Sequence, residues 1–157
     1  MRIYTALAIS ISLLLPLEAY AASSMLALWT DANANPSAVL DRDRSARAAW
    51  RKIVPVKYAK QSWVSDLLGN FNPVKVMSES GRIYVVGNDC KPYDCAMYSN
   101  YYVIEPGGSR AAGAVLVIQG SEPSYQYFGK ADALQHEWLR EMIVDHLHAL
   151  GINQPVR

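Results

Sequence analysis

The chain predicts an α+β fold: an antiparallel sheet of about five strands packed by an N-terminal and a C-terminal helix, with a disulfide-closed loop protruding from it. Three observations lead there. Apolar residues recur at helical spacing near both ends of the chain. Between them, from Val74 to Phe128, the period falls to two and turn residues interrupt it. The only two cysteines, Cys90 and Cys95, stand inside that strand-rich stretch with four residues between them. Helix, hairpins and helix in succession place helices on an antiparallel sheet rather than alternating β and α units.

Residues 1–21 predict an export signal. Arg2 supplies a short positive start, residues 3–17 are almost continuously apolar, and Ala19-Tyr20-Ala21 gives the small-x-small pattern that signal peptidase cleaves. The run is shorter than the roughly 20 residues a spanning helix needs. The expectation is cleavage after Ala21, with Ala22 as the alternative, and no membrane attachment afterwards. Arg2 and Glu18 are the only charges removed, so the net charge stays at +1, and 136 residues remain. That length suits one domain. A charge so near zero sets up no field to attract nucleic acid. Two cysteines in an exported chain predict one disulfide in an oxidising compartment, here the bacterial periplasm.

Residues 22–36 predict a linker, marked by Asn33, Asn35 and Pro36, with a single α+β domain following over 37–157. Over residues 37–54, Val39, Leu40, Ala46, Ala49, Trp50, Ile53 and Val54 fall at spacings of three and four. Asp41, Arg42, Asp43, Arg44, Arg47 and Arg51 fill a solvated face between them. This predicts one amphipathic helix, capped by Ser37 and stopped by Pro55. Residues 63–68 predict a short helical turn ended by Gly69.

Strands are expected around Val74 and Val76, then Ile83 and Val85, with Ser78-Glu79-Ser80-Gly81 as the turn between them. A tyrosine-rich strand follows over 96–104, and Glu105-Pro106-Gly107-Gly108-Ser109 turns the chain. Residues 112–119 are apolar on both faces, which predicts a central strand covered from both sides. Residues 125–128 predict a short fifth strand. The last helix starts at Ala131 or Asp132 and runs to Leu150, with Leu134, Trp138, Met142, Ile143, Leu147 and Leu150 as its stripe. Asp132 with Gln135 suggests a capping box, and Gly151 occupies the C′ position.

Catalytic patterns are scarce. His136-Glu137-Trp138-Leu139-Arg140 lacks the second histidine of the zinc motif H-E-x-x-H, and His146 and His148, two residues apart, point in different directions on a helix. Structural or exposed roles are expected for all three histidines, and neither a metal nor a cofactor is expected. Glu105, Glu122 and Glu137 carry no pattern that would pair two of them across a cleft. Tyr84, Tyr98, Tyr101, Tyr102, Tyr125 and Tyr127 suggest either a stacking platform or, as favoured here, half-buried residues on a sheet face. The chain is not expected to be an enzyme.

The loop Cys90-Lys91-Pro92-Tyr93-Asp94-Cys95 resembles that of the Ivy family, the inhibitors of vertebrate lysozyme exported by Gram-negative bacteria, which carries Cys-Lys-Pro-His-Asp-Cys between two strands. The likeness also covers Ala49-Trp50-Arg51-Lys52-Ile53-Val54, Ser62-Trp63-Val64, the strand pair over 73–87, the strand after Cys95, and 112–119 followed by Glu122. The resemblance implies a periplasmic α+β inhibitor, often a homodimer, whose disulfide-closed loop plugs the cleft of a c-type lysozyme or a related muramidase. It implies Lys91, Pro92, Tyr93 and Asp94 as the partner-binding residues. In the family a histidine hydrogen-bonds the catalytic carboxylates; Tyr93 stands in its place, keeping one O–H donor and a ring but losing the second nitrogen. The alternative reading is that a loop so altered serves another peptidoglycan-cleaving enzyme, such as a lytic transglycosylase.

Overall fold

A computed structural model describes residues 17–157 apart from 32, 33, 121, 155 and 157, with side chains described from residue 23 onward. Arg2 and residues 3–16, the start and most of the apolar run of the expected export signal, lie outside the described residues. The described chain runs α1 (Leu17–Thr30), α2 (Pro36–Arg42), α3 (Arg44–Ile53), a 3-10 turn (Val56–Tyr58), α4 (Ser62–Ser65), β1 (Asn70–Phe71), β2 (Lys75–Glu79), β3 (Arg82–Cys90), β4 (Tyr98–Ile104), β5 (Ala111–Gln119), β6 (Glu122–Gly129) and α5 (Ala133–Ala149). Among the described residues no helix is long and apolar enough to cross a membrane.

The sheet is antiparallel throughout, ordered β1-β3-β4-β5-β6, with β2 pairing the other half of the β3 edge. Strand alternation sends one set of side chains to each face. Val85, Tyr102, Ile104, Val115 and Phe128 meet Trp29, Val39, Leu40, Ala46, Trp50, Trp63 and Val64 from the N-terminal helices. Tyr84, Val86, Tyr101, Val103, Ala112, Ala114, Leu116 and Ile118 meet Trp138, Leu139, Ile143 and Leu147 from α5. β5 is therefore covered on both faces between β4 and β6, as its apolar run required.

The expected single helix over 37–54 is two helices, broken at Asp43. Asp43, expected on the solvated face, is only 2% exposed. Its Oδ1 accepts from the Ala46 N–H at 3.1 Å, capping α3, while Oδ2 accepts from Trp29 Nε1 at 3.1 Å and from the Gly107 N–H at 2.7 Å. One carboxylate thus ties α1, the α2–α3 break and the β4–β5 turn together, which rewards leaving helical geometry at this residue. The cap of α2 is Asn35, whose side chain accepts from the Ser37 N–H, with Pro36 in the first turn where a missing N–H costs nothing. Ser37 lies inside the helix. The stretch expected as a linker also carries the end of α1.

Trp50 anchors α3 to the sheet. It is fully buried, donates from Nε1 to the Val64 carbonyl at 2.8 Å, and stacks at 5.4 Å on Phe128 and 6.2 Å on Tyr102. Gly113 beneath it has no room for a side chain: a Cβ there would fall 2.8 Å from the indole and 2.5 Å from the Phe128 ring. The helix–sheet approach depends on that glycine.

The apolar stripe of α5 is rotated from the expected one. Leu134 and Leu150 are 41% and 42% exposed, whereas Leu139 and Gln135 are buried with Trp138, Ile143 and Leu147. Asp132 caps the helix by accepting from the Gln135 N–H at 2.9 Å, but the Gln135 carboxamide donates to Glu79 on β2 instead of closing a capping box. Gly151, at φ 74°, ends the helix, with its N–H on the His148 carbonyl and the Ile152 N–H on the Leu147 carbonyl.

The strands differ from expectation at several points. β2 and β3 pair up to Glu79 and Arg82, so the turn is only Ser80-Gly81, both at positive φ. β6 is eight residues long rather than four. β1, a two-residue strand against the end of β3, is too short to carry a period.

Candidate functional site

β3 and β4 leave the sheet at Cys90 and Ser99, which face one another in register, and the Lys91 N–H still reaches the Tyr98 carbonyl at 3.1 Å. Beyond that bond the chain makes a four-residue turn closed by the Asp94 N–H on the Lys91 carbonyl at 3.0 Å. Pro92 holds the second position at negative φ, and Tyr93 occupies the third at φ 69°, which defines a type II turn. That third position ordinarily takes glycine or asparagine; a tyrosine there costs about 1–2 kcal/mol. The Asp94 carbonyl then accepts from the Met97 and Tyr98 N–H groups, a helical turn that delays β4 to Tyr98 rather than Ala96. The Cys90–Cys95 disulfide is formed, with its Cα atoms 4.9 Å apart.

The four expected site residues divide into two pairs. Pro92 and Tyr93 form the tip, and Tyr93 is fully exposed. Lys91 and Asp94 stay at the root: Lys91 Nζ lies 3.1 Å from Asp94 Oδ2 and 4.4 Å above the Tyr98 ring centroid. Tyr98 itself packs edge-on against Trp63. The two charges neutralise one another, and an aromatic–cation stack fixes the lysine stem. What the loop presents outward is a proline and a phenol.

β1 braces the loop from the side, a support that the sequence reading missed. Asn70 pairs with Cys90, and its carboxamide donates to Cys95 Sγ at 3.4 Å. A Cβ on Gly69 would fall 2.3 Å from the Cys90 carbonyl oxygen, so this close approach requires glycine. Beneath the loop root, Asn100 donates from Nδ2 to Asp89 Oδ1 at 2.8 Å. Both side chains are fully buried cross-strand partners. Burial pushes the Asp89 carboxyl well above its usual range.

The remaining candidates do not converge. Tyr84, Tyr101 and Tyr102 are fully buried, more so than the half-buried sheet face expected, and they point to opposite faces. Tyr125 and Tyr127 pack together away from the loop, with His136 on the Tyr127 ring. Glu105 pairs with Arg82 and Glu137 with Arg140. Among the described residues, no three His, Cys, Asp or Glu side chains form a metal-binding group.

No family model matches the chain. An inhibitor of vertebrate lysozyme from Pseudomonas aeruginosa is 27% identical over 108 residues, covering 62% of this chain and 70% of that protein. An uncharacterized protein of the same organism is 24% identical over 136 residues, covering 81% of this chain and 88% of that protein. The chain is thus a distant homologue of a lysozyme inhibitor, which supports the resemblance carried by the loop.

Proposed function

We propose that this chain is an exported periplasmic inhibitor that seats the Cys90–Cys95 loop in the substrate groove of a c-type lysozyme or a related muramidase. The observation that carries the reading is Tyr93, fully exposed at the tip of a disulfide-closed turn, in a homologue of a lysozyme inhibitor. Lysozyme works with one protonated and one ionised carboxyl in its groove. A phenol entering that groove displaces substrate and offers its O–H to the ionised carboxylate. The turn, the ring disulfide and Pro92 restrict the loop before binding, so little ordering entropy is lost on docking. The near-zero net charge gives weak long-range steering, and binding depends on short-range fit. The test is calorimetric titration of lysozyme with and without a saturating chito-oligosaccharide. Competition is expected; equal affinity in its presence would place the contact outside the groove.

A second reading rests on Tyr93 itself. A histidine offers two nitrogens and the phenol one donor, which suits a groove that presents a single carboxylate; the alternative target is then another peptidoglycan-cleaving enzyme, such as a lytic transglycosylase. Capture from periplasm with the wild-type chain and Tyr93→Ala distinguishes the two, and identical partners for both baits would count against this reading.

A further inference from the structure

α5 lies on the sheet face that carries Tyr101, and His146 is where it meets the loop. His146 Nδ1 lies 2.8 Å from the Tyr101 hydroxyl and 3.4 Å from Ser99 Oγ. The imidazole also lies near the backbone of Ala96. Ser99 Oγ in turn reaches the Cys95 carbonyl at 3.1 Å. Cys95, Ala96 and Ser99 lie on the returning limb of the loop, residues 95–99, so one side chain near the C-terminus touches or relays to three of its five residues.

Ser99 uses its hydroxyl proton on Cys95. The Tyr101 hydroxyl donates to Nδ1 of a neutral ring, or accepts from Nδ1–H while donating to Ser99 Oγ. The tie to the limb therefore stands in either state of the ring. We propose that His146 is a positioning residue for the partner-binding loop: from α5 it holds the limb at residues 95–99 in place.

Burial lowers the pKa of His146 from its ordinary 6.5, with the nearby Ala96 backbone opposing. The ring is therefore neutral at pH 7. It half-faces a cleft of about 340 Å³, whose other ionisable groups are Lys75 from β2, Tyr101 from β4 and Asp145 from α5 itself, beside the amides of Asn72 and Asn88. The consequence for inhibition rests on the reading of the loop as a plug; the positioning does not, and it can be measured without a partner.

The experiment is amide hydrogen exchange on the oxidised protein, comparing wild type, His146→Phe, His146→Gln and the exposed-site control His148→Gln. His146→Phe should speed exchange of the Met97 and Tyr98 amides by about tenfold while β5 amides keep their protection. His146→Gln, whose carboxamide can accept from the Tyr101 O–H, should keep most of the Met97 and Tyr98 protection, and His148→Gln should match the wild type. Unchanged Met97 and Tyr98 exchange in folded His146→Phe would overturn the proposal, as would the same loosening in His148→Gln. Should His146→Phe fail to fold, His146→Ala takes its place in the comparison. Lysozyme inhibition measured in parallel separates the two ideas. If the wild type does not inhibit while exchange behaves as stated, the plug reading fails and the positioning role stands; if the wild type inhibits and His146→Phe inhibits equally, the positioning role fails.

Discussion

Lys91 Nζ sits 3.1 Å from Asp94 Oδ2 across the root of the disulfide loop, so the only two charges of the loop face one another instead of a partner. Both side chains are more than a third exposed, and pairs of that kind contribute about 0–1 kcal/mol. A double-mutant cycle of Lys91→Ala and Asp94→Ala in urea unfolding should therefore give a coupling below about 1 kcal/mol. A larger value would mean that the pair holds the turn.

Tyr93 carries the positive φ of the turn. Tyr93→Gly should remove a backbone cost of about 1–2 kcal/mol, offset by the roughly 0.5–1 kcal/mol of extra freedom glycine has when unfolded. Stability should change by less than about 1 kcal/mol, while lysozyme inhibition weakens at least about tenfold. Loss of both together in unfolding and inhibition assays would show that Tyr93 acts through folding.

Tyr93→His restores two ring nitrogens at the tip. Leaving a buried carboxylate without a donor costs about 1–3 kcal/mol, so the inhibition constant against a c-type lysozyme should fall by about ten- to a hundredfold. Equal constants for tyrosine and histidine would show that the second ring nitrogen adds nothing to binding.

Asp43 accepts three hydrogen bonds from three segments. Asp43→Ala strands buried donors and removes a cap, at about 2–4 kcal/mol in denaturant unfolding. A loss under about 1 kcal/mol would show that water replaces the carboxylate.

Asp89 holds its proton more tightly folded than unfolded, because burial raises its pKa. Its stabilising effect is complete below the unfolded value near 3.8 and declines as pH rises towards the folded value. Asp89→Asn should thus gain stability relative to wild type between pH 4 and pH 7. Thermal unfolding that shows a difference independent of pH would contradict this.

Much of the fold was legible because long periodic segments announce themselves. Val115 and Leu116 could be assigned to opposite faces of a central strand from alternation alone. The helix break at Asp43 could not, since its cause is Trp29 and Gly107, 14 and 64 residues away. The rotation of α5 toward Leu139 and Gln135 likewise depends on where the sheet lies and on Glu79 across from it. At the site, Cys90 and Cys95 showed where the loop lies, whereas a tyrosine carries no signal of the positive φ that Tyr93 adopts. The braces at Gly69, Asn70 and His146 left no local signal, because each acts through a contact made only in the folded chain.

The measurement that bears most directly on the proposed inhibition is turnover of a c-type lysozyme on peptidoglycan, titrated with residues 22–157, oxidised and reduced, and with Tyr93→Ala. The account predicts stoichiometric inhibition by the oxidised wild type, weakened about tenfold or more by reduction of the ring or by loss of the phenol. Unchanged turnover at micromolar excess of the oxidised wild type, or equal inhibition by Tyr93→Ala, would contradict it.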